Sequence, residues 1–319
     1  MRTRATILLV ASFAVSLSTM KAMAALATSA AATVAARARD AGQEKADAKK
    51  YATSGLILRI DREHREMDIS CAAIPGYMDA MEMTLPVRDA KSLEGLKPGV
   101  TVDFTLSVDA SAAVMDDIRL HPYESTAQEP MASRQLQILE GATPNATKPA
   151  PALAVGQTVP DFVLTDQANH RVEFSQFAGK VTAITFIYTR CPLPNFCFRM
   201  SNNFSVLHKR FAERMGKDLA LLSITFDPEH DRSEVLADYA KTWTKDSTGW
   251  YFLTGPTADV QKVCREFGMN FWQDEGLMTH SLRTIVVDRH GKIVATLEGN
   301  EYTAKQLADL VESVINRRD

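Results

Sequence analysis

Apolar residues recur at every second position in five short runs between residues 51 and 122. GLILRI comes first. MDISC aligns Met67, Ile69 and Cys71; MEMTLPV aligns Met81, Met83, Leu85 and Val87; TVDFTLSV aligns Val102, Phe104, Leu106 and Val108; AVMDDIRL closes the set. A period of two puts each set on one face of a strand. Turn residues separate the runs, IPGYM at 74–78 among them, so the pattern predicts a small antiparallel barrel or sandwich. After residue 153 the pattern changes. The continuous apolar runs VTAITFIYTR, LALLSITFD and WYFLTG alternate with the helix-like stretches NFCFRMSNNFSVLHKRFAERM, SEVLADYAKTW and TADVQKVCREFGM. Unbroken β-branched runs predict buried strands, and strand–helix alternation predicts an α/β fold. HSLRTIVVDRHGKIVATLEG predicts a hairpin turning at Arg289-His290-Gly291, with His280 at the start of its first strand, and TAKQLADLVESVINRR predicts a final helix. Asp231, with Glu234 three residues on, is expected to cap SEVLADYAKTW.

Three segments follow neither pattern. Residues 1–24 pair a basic start, MRTR, with the apolar run ATILLVASFAVSLS and the small-x-small triplet Ala22-Met23-Ala24. That is the form of a cleaved secretory signal, and the run is shorter than the ~20 residues a membrane span needs. Left uncleaved, it would act as an anchor together with residues up to 36. Either outcome places the rest of the chain outside the cytoplasm, in the periplasm or an equivalent compartment. Residues 25–50 read as a flexible spacer and the proline-punctuated stretch 123–152 as a semi-flexible linker. The expected domains are therefore a β domain at 51–122 and an α/β domain at 153–319.

Charge removes one function class. With 36 basic and 39 acidic residues the net charge is −3, and no basic footprint favours nucleic acid. The 4 cysteines are too few for a disulfide scaffold, so the positions of the sulfurs matter more than their number. Cys191 and Cys197, in TRCPLPNFC, fall where a buried strand turns into a helix, a place that lowers thiol pKa values. With His280, about ninety residues further on, they make a Cys, Cys, His set that suits copper, with zinc as the rival. In the β domain, Cys71, Met81 and Met83 would face one way on neighbouring strands, and soft sulfur ligands select Cu(I) or Ag(I) over hard cations. Met200 and Met278 could add axial thioethers, but single methionines mostly fill cores. Cys264, on an apolar helix face, reads as a buried structural thiol, and His64, His121, His230 and His290 read as surface or turn residues.

GLILRID, MDISCAAIPGYMDAMEMTLPV and LKPGVTVDFTL resemble the CusF-like periplasmic copper-binding domain, a five-stranded OB-type barrel. That resemblance implies a Cu(I) site in which Met81 and Met83 match the family's methionines. Cys71 stands where the family has His, and Met78 where it has Trp. From residue 153 the chain resembles the Sco/SenC family, thioredoxin-like proteins with two cysteines after the first central strand, an Asp-Pro-x-x-Asp motif and a distant His. Here these are Cys191 and Cys197, Asp227-Pro228-Glu229-His230-Asp231, and His280. The resemblance implies copper, as Cu(I) or Cu(II), on Cys191, Cys197 and His280, with Asp227 supporting the cysteine loop. It also implies a metallochaperone serving the copper-centre subunit of cytochrome c oxidase or another acceptor, acting as copper donor, thiol reductant or both. Membrane contact is expected only through an N-terminal anchor. The spacing departs from the family's C-x3-C: here it is C-x5-C, with two prolines between the cysteines, which bears on geometry and redox potential. Thiol–disulfide oxidoreductases and peroxidases use the same fold, but C-x-x-C is absent and Tyr188 replaces the peroxidase threonine three residues before Cys191. A passive copper sink would explain the β domain but not His280 beside a dithiol.

Overall fold

The computed structural model describes residues 48–110, 112–121, 152–269, 271–274 and 277–317. The expected signal, most of the spacer and the linker lie outside them. Five strands, β1 (Lys49–Asp61), β2 (Glu66–Cys71), β3 (Met81–Pro86), β4 (Thr101–Val108) and β5 (Ala113–Leu120), form one antiparallel sheet in the order β3-β2-β1-β4-β5. All five alternating runs are strands. The two edges of the sheet meet through a parallel bridge between Val87 and Met115, where the Arg88 N–H donates to the Met115 carbonyl. This rolls the sheet around a core of Ile57, Met67, Ile69, Leu85, Val102, Phe104, Leu106 and Met115.

The second region is thioredoxin-like. A hairpin of β6 (Val163–Thr165) and β7 (Arg171–Glu173) leads into a central sheet. That sheet contains β8 (Val181–Ile187), β9 (Leu219–Thr225), β10 (Trp250–Leu253), β13 (Arg283–Val287) and β14 (Ile293–Glu298), in the order β10-β9-β8-β13-β14. β8, β9 and β10 run parallel and β13 runs antiparallel to β8. Every residue of β8 and β9 is buried, as their unbroken apolar sequence requires of a sheet covered on both faces. Four helices pack on the sheet: α1 (Arg199–Arg210), α2 (Ser233–Trp243), α3 (Thr257–Glu266) and α4 (Ala304–Ile315). A short hairpin, β11 (Phe271–Asp274) with β12 (Leu277–His280), was not anticipated, and it moves His280 from the start of a strand to the end of one.

The two regions touch. Leu56 and Leu58 of β1 are buried in the core of the thioredoxin-like region. The Ser70 hydroxyl donates to the Asp309 carboxylate of α4 at 2.7 Å, and the Gln306 amide donates to the Ser70 carbonyl at 3.2 Å. Asp309, with a side chain only 3% exposed, also accepts from Arg210 and Lys305. Among the described residues no helix is long and apolar enough to cross a membrane.

Candidate metal centre

Strand β8 ends at Ile187, and the chain reaches Cys191 four residues later at the carboxyl edge of the parallel strands, where α/β sheets place ligands. The five residues between the cysteines do not begin an ordinary α-helix. Pro194–Phe198 form one π-type turn, and the backbone leaves the helical path at Phe196 (φ −108°, ψ −114°) before α1 starts at Arg199. The wide turn absorbs the additional residues of the C-x5-C spacing. Cys197 lands 1% exposed against the core, while Cys191 stays half-buried at the surface.

His280 arrives from the opposite side, at the end of β12. Its Nδ1–H donates to the Ser281 carbonyl at 2.9 Å, which turns Nε2 toward the two sulfurs. Nε2 lies 3.8 Å from the Cys197 sulfur. The ligand atoms of Cys191, Cys197 and His280 all lie within 4.8 Å of one another. Atoms sharing one metal at ~2.0–2.3 Å stand roughly 3.5–4 Å apart, so small adjustments would close this set on a single ion.

The two thiols differ sharply. A hydrogen bond from Cys197 holds the Cys191 sulfur as a thiolate, down to about 4, against the opposing effect of burial. His280 and the backbone at Cys197 and Leu193 add further hydrogen bonds. Burial, then the neighbouring Cys191, pushes Cys197 well above the ordinary thiol range. The result is one accessible anionic sulfur backed by one buried protonated sulfur.

The loop is held by groups that follow the next strand, β9. Asp227 accepts from Arg190 at 2.6 Å and sits 3.1 Å from His230 Nδ1. It therefore braces the residue before Cys191 and does not face the sulfurs. Asp231 does not cap α2, contrary to expectation. The capping position belongs to Arg232, without a side-chain bond, and the Asp231 carboxylate turns inward to accept from the Thr189 N–H and the Thr189 and Thr225 hydroxyls. Three donors at a fully buried position outweigh a solvent-exposed cap. Met200 is core, its sulfur accepting from the Tyr302 hydroxyl, and Cys264 is fully buried.

Cys71, Met81 and Met83 are arranged differently. β2 pairs with β3 so that Cys71 lies opposite Met81 and Ile69 opposite Met83. Directly opposed residues share a face, so all three sulfurs fall on one side of the sheet. Along that face burial falls off towards the rim: Cys71 is 1% exposed, Met83 half-buried and Met81 47% exposed. Burial pushes the Cys71 thiol up to about 12. Sequence reasoning missed Tyr188 as a neighbour of His280, and it missed Phe196 and Asn300. The one sequence signal that pointed toward Phe196 is the C-x5-C spacing, which lengthens the loop that carries it.

Residues 151–316, just over half of the chain, match the SCO1/SenC family model. The chain belongs to the SCO1/SenC family. Residues 50–120 match the model for the copper binding periplasmic protein CusF. Protein sco1 of Schizosaccharomyces pombe is 27% identical over 162 residues, covering 48% of this chain and 59% of that protein. The SCO1 protein homolog of Bacillus subtilis is 26% identical over 153 residues, covering 46% of this chain and 76% of that protein. The structure of yeast Sco1 with copper bound aligns with 53% of this chain and 91% of its own, at 26% identity and a TM-score of 0.43.

Proposed function

We propose that this chain is an extracytoplasmic copper metallochaperone that carries copper on Cys191, Cys197 and His280 and passes it to the copper-centre subunit of cytochrome c oxidase. The observation that carries the reading is the convergence of two sulfurs and one imidazole nitrogen at the rim of the sheet. Two thiolates and one imidazole suit Cu(I) and tolerate Cu(II). The SCO1/SenC membership supports the choice of metal, since yeast Sco1 is described with copper bound. It also supports the acceptor, because a protein of similar structure, BsSco, is described as a member of the Sco family of cytochrome c oxidase assembly proteins. Cys71, Met81 and Met83 would form a second, softer Cu(I) site, in keeping with the match to a periplasmic copper-binding protein.

A thiol–disulfide role is the second reading, and the contrast between the thiols favours it. A half-buried thiolate at the surface, Cys191, is suited to attack a disulfide, and the buried Cys197 thiol beside it is suited to resolve the mixed disulfide. Copper titration of the full chain tests the first reading: the wild type should show a Cu(II)–thiolate absorption band that Cys191→Ser and Cys197→Ser abolish. His280→Ala should weaken Cu(II) while leaving the dithiol oxidisable. Full copper binding by both serine variants would overturn the assignment.

A further inference from the structure

We infer that Phe196, placed by the long loop between the cysteines, is a specificity-determining wall of the Cys191–Cys197–His280 centre that biases it toward Cu(I) over Cu(II). The inference rests on the copper reading above and adds a residue that acts on the metal through its neighbour His280.

Among the described residues, three aromatic rings surround the His280 imidazole. Phe226 lies 4.7 Å away, Tyr188 5.8 Å away and edge-on, and Phe196 6.0 Å away and edge-on at 77°. Phe226 and Tyr188 each follow directly on a buried strand, β9 and β8, so the central sheet fixes them. Phe196 alone comes from the segment between the two cysteines. It is half-buried and packed against the main core. The residue before it is also anchored: the amide of Asn300, 3% exposed, donates to the Asn195 carbonyl at 2.5 Å. At Phe196 the backbone departs from the helical path. The loop thus turns this ring inward onto the imidazole while Leu193 and Phe198, on either side, stay 41% and 54% exposed.

The chemistry follows from what each oxidation state requires. Cu(I) is content with few soft ligands, so two sulfurs and a nitrogen suffice. Cu(II) prefers a tetragonal set with more ligands, and a three-residue centre must draw the remainder from water. Apolar rings around a ligand restrict solvent access and lower the local dielectric, which disfavours the dication and raises the reduction potential. A ring supplied by the loop does this without taking a ligand position.

The test uses the full chain in a Cys71→Ser background, so that the signal comes from one centre. Cu(I) and Cu(II) affinities are measured by competition with chromophoric chelators, and the copper potential by redox titration of the thiolate band. Phe196→Ala should cut the preference for Cu(I) over Cu(II) about tenfold, equivalent to a potential ~59 mV lower. Phe196→Tyr, which keeps the ring, should stay at the wild-type value. Phe196→Leu, which fills the space without a ring and protects against loss of folding, should shift in the alanine direction. In the metal-free protein, the His280 Hε1 resonance should lose its ring-current shift in the alanine and leucine variants. An alanine value within twofold of wild type, or a tyrosine variant that shifts as far as alanine, overturns the inference while leaving the copper assignment standing. A wild-type chain without the thiolate band would instead sink the copper assignment, and the Hε1 shift would still decide whether Phe196 walls the imidazole.

Discussion

Cys191, Cys197 and His280 come together from a strand end, a π-type turn and a separate hairpin, whereas Cys71, Met81 and Met83 share a face because two adjacent strands pair in register. The first set is pre-organised. Its anionic sulfur, inward-facing imidazole nitrogen and aromatic surround are held by buried carboxylates and a π-type turn. The second runs from a fully buried thiol to a half-exposed thioether, and burial alone shifts its thiol. Under the copper reading proposed above, the contrast separates two ways to hold a soft ion: one fixes the ligands beforehand, and the other leaves a thioether exposed at an edge.

Thiol reactivity gives the widest separation between the two regions. In the metal-free protein at pH 6, Cys191 should alkylate more than ~1000-fold faster than Cys71, which should react only on unfolding. The sign comes from the opposite shifts, Cys191 down to about 4 and Cys71 up to about 12. Lowering the pH from 8 to 6 should therefore leave the Cys191 rate nearly unchanged, and mass spectrometry of iodoacetamide-treated protein reads both rates. Equal labelling of the two would erase the contrast.

Leu58 tests whether the regions are independent at all. It lies in β1 but is buried in the core of the thioredoxin-like region. Leu58→Ala should cost about 2–5 kcal/mol and lower the denaturant midpoint of both regions in one transition. Two separate transitions would show that the shared packing contributes little.

A smaller effect is expected at the strand-borne site. Met81→Leu with Met83→Leu should weaken Ag(I) binding about tenfold there while leaving the Cu(II)–thiolate band of the other centre intact. Unchanged Ag(I) affinity would reduce these methionines to packing.

Asp309 should give the smallest effect. Burial opposes its charge, but bonds from Lys305, Ser70 and Arg210 prevail and hold its pKa below the usual carboxylate range. A depressed folded pKa stabilises the protein above the unfolded carboxylate value and loses that contribution as pH falls through the folded one. Asp309→Asn should therefore cost about 1–2 kcal/mol at pH 7, with Lys305 and Arg210 partly solvated, and the gap to wild type should close below pH ~4. A gap that persists in acid would mean that the charge at this position is not what joins the two regions.

Much of this was legible in the chain. The five alternating runs became the five strands of the small sheet, because one covered face imposes a period of two. The unbroken runs became the central strands, because helices cover both faces of the sheet. The C-x5-C pair and His280 named the ligand candidates by type, since thiolates and imidazole are the donors that suit a soft metal. Local signals fared less well where tertiary partners competed. Asp231 had the sequence of a helix cap but is drawn inward by Thr189 and Thr225.

Residue type and period thus determined the elements, their faces and the list of sulfur and imidazole ligands, because those depend on side-chain chemistry and on short-range backbone geometry. Only the tertiary structure decided which thiol is the anion, how Phe196 and Asn300 enter the site, and that α4 joins the small sheet through Asp309 and Ser70. Each of these depends on residues tens to hundreds of positions apart meeting at ångström distances. The free energy of such a meeting comes from the desolvation and hydrogen bonding of the assembled site, and no local stretch of sequence carries it.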